Sequence, residues 1–196
     1  MTAITQEIVK PKDCVIGLGI PYTREAFQHD RSSKADSYAS FYRNWLHYEA
    51  CVVKPFGKLV VLAKKLKVDM VFDLRYLDIR DLFCHRPRFK VVIMISHYDQ
   101  ARGTIELSDT DVRVSDFIEE IPIEFSGFLD SPCCNIEELG IGLRHRRPSC
   151  LFRYRHGPND PDVWFAFYRV LLTYLRNRDV TYLQAVEDVV GGLTKT

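Results

Sequence analysis

The sequence predicts an α/β fold, a three-layer sandwich with a mainly parallel central sheet and helices on both faces. Three observations predict it. Short apolar runs alternate with stretches of helical periodicity, the pattern of a parallel sheet crossed by helices. The run Val91-Val92-Ile93-Met94-Ile95 is apolar without a break, as a strand buried on both faces requires. The chain has 196 residues, 46% of them hydrophobic and 12% aromatic, which suits a single domain spanning 1–196 with a substantial core.

Residues 1–12 read as a loose lead-in, and Cys14 to Gly19 as a first buried strand, followed by a polar loop to about Ala35. Asp36 is placed to cap a helix whose apolar face carries Phe41, Trp45 and Tyr48. Lys58 to Leu66 is a short amphipathic helix, and Val68 to Asp73 a second strand. Asp78 caps a helical turn from Ile79 to Phe83 that Pro87 ends, before the central strand from Lys90 to Ser96. Thr104 to Asp109 alternates as a strand with Val112 to Val114 as its hairpin partner. Ser115 caps a helix carrying Phe117, Ile118 and Ile121, which Pro122 stops. Strands at Phe125 to Asp130 and Leu151 to Tyr154 flank a mobile loop over 136–148. Two helices close the chain, Asp162 to Arg176 and one capped by Thr181.

Composition excludes several classes. A net charge of +1 with 27% charged residues argues against disorder and against bulk attraction to nucleic acid. No apolar run is long enough to span a bilayer, and the first residues lack the pattern of a secretion signal, so a cytoplasmic protein is expected. The six cysteines are scattered and read as reduced thiols. Cys84, His85, Cys133, Cys134 and His145 have no C-x-x-C spacing to support a zinc site, and neither Leu139 nor Gly140 supplies the arginine a cysteine phosphatase needs. No P-loop or dinucleotide fingerprint is present, and no cofactor is expected.

The chemistry lies at two strand ends. His97 leaves the central strand, and Cys133-Cys134-Asn135 leaves the strand through Asp130. In an open α/β sheet, ligands collect at the carboxyl ends of the strands. An imidazole there can activate a thiol and later protonate a leaving amine. Backbone N–H groups beyond a strand end can hold an oxyanion. Residue types and spacing alone leave open a loop histidine and a core thiol.

Three segments together resemble the caspase-like cysteine peptidases, especially the bacterial CHAT type. They are Val91 to His97; Ile105 to Asp109 with Phe117 to Pro122 and Gly127 to Asn135; and Trp164 to Leu172 with Tyr182 to Val186. The similarity covers roughly residues 68–193. It implies a caspase-like fold and a thiol protease, an endopeptidase with His97 as general base and Cys134 as nucleophile, Cys133 being the alternative. It also implies oxyanion donors at the Tyr98 and Cys134 backbone. Tyr98 stands where the family usually has glycine, and its side chain is expected to crowd the approach. The cysteine register after Asp130 is stretched relative to the family. Asp99, Asp130 and Glu106 are candidates to line a pocket for Arg or Lys, with Asp99 and Asp130 the substrate-binding pair; Arg144, Arg146 and Arg147 would suit an acidic residue. The implied partners are a protein substrate, such as a pore-forming or other effector of antiviral defence or regulated cell death, and an upstream activator. An inactive caspase-like scaffold, or a nucleic-acid-binding α/β domain using Arg144 to Arg155, are the rival readings.

Overall fold

The computed structural model describes residues 7–34, 37–84, 89–155 and 160–193, with the side chains of Cys134, Arg155 and Leu193 outside that description. The Asp36 cap, Pro87, the His85 position and residues 1–6 of the lead-in lie outside it as well.

Five parallel strands form the central sheet: β1 (Cys14–Leu18), β2 (Asp69–Val71), β3 (Val91–Ile95), β7 (Phe128–Cys134) and β8 (Leu151–Arg155), in the order β2-β1-β3-β7-β8. Between β3 and β7 the chain builds a small antiparallel sheet, β4 (His97–Asp99), β5 (Thr104–Glu106) and β6 (Asp111–Arg113). Among the described residues the α-helices are α1 (Arg24–Ser33), α2 (Trp45–Tyr48), α3 (Lys54–Leu66), α4 (Tyr76–Cys84), α5 (Val114–Glu120), α6 (Glu137–Arg146), α7 (Pro161–Asn177) and α8 (Tyr182–Leu193).

The strands' two faces feed two separate cores. Ile16, Ile93 and Ile95 pack with Phe27, Phe56, Leu59, Leu171 and Val186 from α1, α3, α7 and α8. Val15, Val92, Met94 and Leu129 pack on the other side with Ile79, Phe83, Phe117, Ile118, Leu139 and Leu143 from α4, α5 and α6. Side chains alternate along a strand, so an unbroken apolar run serves both layers at once. The fold is α/β, with an all-parallel five-stranded sheet between helical layers. No helix among the described residues is long and apolar enough to cross a membrane.

Four local expectations are corrected. The lead-in is docked over its described part: Val9 is buried, its N–H bonds Val180 O at 3.1 Å, and Lys10 pairs with Asp179 at 2.6 Å. The polar loop after β1 contains α1, capped by Thr23 Oγ1 accepting from Ala26 N at 3.1 Å. Only Phe27 and Asp30 of that helix are buried, so it has no apolar stripe for the sequence to display. The supposed mobile loop at 136–148 is mostly α6. A Cβ on its Gly140 would sit 3.1 Å from Phe152 Cδ1, so that glycine permits close helix–strand packing. Finally, β7 runs past Asp130 to Cys134. There it takes four steps, Asp130 to Cys134, while β8 takes two, Arg153 to Arg155. A bulge of this kind accommodates Pro132 inside a paired strand.

Candidate active site

The strand pairing brings the two predicted chemical segments to one edge. Val91, Val92 and Ile93 of β3 pair with Phe128, Leu129 and Asp130 of β7, an offset of 37 residues. Past this pairing, Cys133 Sγ donates to Ser96 O at 3.1 Å, a side-chain bond between the two segments. The next residues along the two segments are His97 and Cys134. Cys133 itself is only 1% exposed and belongs to the core under α5 and α6. The Cys134 backbone pairs with Arg155, while its side chain lies outside the described residues. Asn135 follows with φ of 55°, a left-handed turn that Asn tolerates better than most residues, and α6 starts two positions later. The N-cap position of α6, Ile136, has no side-chain cap. A helix N-terminus of this kind favours negative charge beside the strand end.

His97 is half-buried, with the Tyr38 ring at 5.6 Å and the Phe41 ring edge-on at 5.3 Å. Burial holds its pKa below the ordinary histidine value, against the opposing pull of Asp99, Asp111 and Asp30. The imidazole is therefore biased to its neutral, proton-accepting form. Tyr98 faces the other way from His97, as alternation in a strand dictates. Its ring is buried in the core and its hydroxyl donates to Glu138 Oε2 in the first turn of α6 at 3.2 Å. Its side chain thus does not crowd the approach to His97; it ties the histidine's strand to the helix that follows Cys134.

The two predicted substrate carboxylates are occupied otherwise. Asp130 is 1% exposed, accepts Arg153 Nε at 3.1 Å and Nη2 at 2.9 Å, and accepts the Tyr182 hydroxyl at 2.7 Å. It is an internal anchor of the sheet, with no oxygen turned to a substrate. Asp99 folds its own turn, accepting the Ala101 and Arg102 N–H groups and pairing with Arg102 Nε at 3.3 Å. Of the cations expected to meet an acidic residue, Arg147 is buried and bonded to Ile121 O and Glu119, and Arg146 pairs with Glu119 at 2.8 Å. Among the described residues no cluster of histidine, cysteine and carboxylate side chains could hold a metal ion.

The sequence reading missed two features. The first is a polar cluster beneath His97. His97 pairs with Glu106, and Glu106 with Asp111, so the three side chains form one row across the small sheet. Helix α1 lays Asp30 against this row, and Lys34, just beyond it, reaches Asp30 and Asp111 at 3.2 Å each and Leu107 O at 3.0 Å. Glu106 Oε2 accepts the Tyr38 N–H at 2.9 Å, so the backbone of the ring that covers His97 hangs on Glu106. Burial and the hydrogen-bonded Asp30 push the Glu106 carboxyl up to about 9. Burial opposes the Lys34 charge, but Glu106, Asp30 and Asp111 outweigh it and raise its pKa.

The second feature is a cleft of about 910 Å³ beside the ends of β1 and β2, with an apolar floor that includes Met70, Phe72 and Leu82. Asp30, Asp69, Asp73, Asp78, Asp81 and Asp109 line it, together with Arg75 and His29. Its inner end includes Gly19, where a Cβ would come within 2.9 Å of Glu106 O and 3.0 Å of Ser96 Oγ. Gly19 thus stands between this cleft and the Ser96 and Glu106 residues beside His97, and His97 itself is not among the residues that line it. Its six carboxylates come from α1, β2, α4 and two loops, and only Asp78 and Asp81, three apart on α4, are spaced to share a face.

A scan of the chain against protein-family models gives no match, and a search of curated proteins gives no significant match.

Proposed function

We propose that this chain is a caspase-like cysteine endopeptidase in which Cys134 is the nucleophile and His97 the general base. The observation that carries the reading is the β3–β7 register, which pairs Val91 to Ile93 with Phe128 to Asp130, together with the Cys133 Sγ bond to Ser96 O between the residues that immediately precede Cys134 and His97. Cys134 is preferred over Cys133 because the Cys133 thiol is enclosed and donates to a backbone carbonyl. In the reaction, His97 takes the thiol proton as sulfur attacks the scissile carbonyl, then gives it to the leaving amine; water releases the acyl group. Backbone N–H groups at Tyr98 and Cys134 hold the oxyanion, and the N-terminus of α6 favours the thiolate. The acidic cleft supports a basic side chain, Arg or Lys, in the substrate, recognised by carboxylates other than Asp99 and Asp130. By resemblance, the substrate is a protein effector of defence or cell death.

The test is cleavage of casein and of fluorogenic peptides carrying Arg, Lys or Asp before the labelled bond. Cys134→Ala and His97→Ala must each abolish cleavage, and Arg or Lys peptides must be preferred. Loss with Cys133→Ala alone moves the nucleophile by one residue. A second reading, an inactive scaffold of the same fold, is favoured by one observation: Tyr38 and Phe41 enclose the His97 ring. Iodoacetamide separates the two, because a thiolate activated by His97 reacts well below the pH an ordinary thiol needs.

A further inference from the structure

We propose that the Asp30–Glu106 carboxyl pair is a positioning device, which fastens the 37–41 segment over His97 and so fixes the imidazole. The proposal rests on the reading of His97 as the general base. The two carboxyl groups come from α1 and β5 and are both buried, 5% and 4% exposed. One oxygen of each, Asp30 Oδ2 and Glu106 Oε1, is buried with no hydrogen-bond donor in reach. Two buried carboxylates side by side repel, whereas a carboxyl and a carboxylate sharing one proton satisfy both oxygens. The other Glu106 oxygen takes the Tyr38 N–H, and Tyr38 and Phe41 then lie on the His97 ring. Ser96 Oγ donates to Glu106 O, so the same residue also braces the backbone just before the histidine.

The groups around Glu106 set the sign. Asp30 and Lys34 face it from α1 and the residue after its end, Asp111 from β6, His97 from β4, Tyr38 from the 37–41 segment and Tyr48 from α2. With one lysine among three carboxyl groups, removing the shared proton adds a second negative charge against Asp30. That loosens α1 and the 37–41 segment together, and the cover over His97 goes with them. His97 is thereby held only while Glu106 is protonated.

The experiment follows His97 by imidazole NMR, and the Cys134 thiol by iodoacetamide alkylation read by peptide mass spectrometry, from pH 5 to 10. Glu106→Gln keeps an acceptor for Tyr38 N–H and a donor for Asp30 without an ionisable proton. Its His97 midpoint should match the wild type, with alkylation at pH 7.5 within threefold. Glu106→Ala should return the His97 midpoint toward the ordinary value and slow alkylation at least tenfold. Above pH 8 the wild-type His97 signals should shift; in Glu106→Gln they should not, and in Asp30→Asn the change should come at lower pH. If Glu106→Ala does not fold, Glu106→Gln and Asp30→Asn decide. Wild-type His97 signals that stay fixed between pH 8 and 10, or a Glu106→Gln variant with a displaced His97 midpoint, overturn the proposal. Alkylation of Cys134 no faster than that of Cys51 in every variant would instead sink the peptidase reading, while the His97 signals still judge the pair.

Discussion

Two buried acidic centres lie near the working edge of this sheet, and they are built on opposite plans. At Asp130 one carboxylate meets one guanidinium in a two-pronged pair, and the Tyr182 hydroxyl takes a further share of one oxygen. Charge and hydrogen bonds balance there, and the centre joins β7, β8 and α8. Beneath His97, three carboxyl groups meet one lysine. That centre balances only by keeping a proton. The first plan holds a structure at any ordinary pH; the second holds one only over a range of pH. Position sharpens the lesson, because the balanced centre sits inside the sheet and the unbalanced one sits against the proposed base.

The largest expected effect separates the two plans by the same chemical change. Asp130→Asn strips the charge opposite Arg153, whose side chain is 18% exposed, and breaking a largely buried pair in this way costs about 3 kcal/mol. Thermal unfolding should drop by on the order of 10 °C. Glu106→Gln at neutral pH replaces a group that is already uncharged, so its midpoint should stay close to the wild type. Equal losses at the two sites would break the comparison, because Glu106 would then be a charged anchor like Asp130.

The next effect is the slope of stability with pH. The Glu106 carboxyl is raised from the usual value near 4.5 to about 9, so between those values the folded state holds a proton the unfolded state has lost. Stability is then fullest below pH 4.5 as far as this group is concerned, and falls as pH rises toward 9, by up to about 1.4 kcal/mol per pH unit for one proton. His97 works in the other direction: its pKa is lowered, so its contribution is present above about 6.5 and is lost as pH falls through the folded value. Urea unfolding at pH 6 to 9 should show the alkaline decline in the wild type and not in Glu106→Gln.

What the sequence made legible follows the same division. The strands β1 and β3 announce themselves as apolar runs and β8 by its alternation, and α7 shows its buried stripe of Trp164, Phe167, Tyr168, Leu171 and Leu175 openly. The His97 and Cys133-Cys134 segments were legible for the same reason, as polar endings of apolar strands. Helices α1 and α6 were not, because α1 buries little and the glycines of α6 mimic a loop. Strand β7 was cut short at Asp130, since Ser131-Pro132 looks like a break unless a bulge absorbs it. Asp130 and Glu106 were both legible as acidic residues near the site, but their roles were set by Arg153 and Asp30, partners that only the fold delivers.

The smallest effect tests how His97 is shielded. Phe41 is 64% exposed and touches little besides the Tyr38 and His97 rings, so Phe41→Ala should cost less than about 1 kcal/mol. Its mark should instead be on His97. Burial lowers that pKa, and Phe41 closes the exposed side of the cover while Tyr38, held by Glu106, closes the inner side. Removing Phe41 admits water to the imidazole, so its NMR titration midpoint should rise toward the ordinary histidine value. The alkaline change assigned to Glu106 should persist, because the Tyr38 N–H bond is untouched. If the His97 midpoint does not move in Phe41→Ala, Tyr38 alone supplies the burial, and the whole shield depends on the carboxyl pair beneath it.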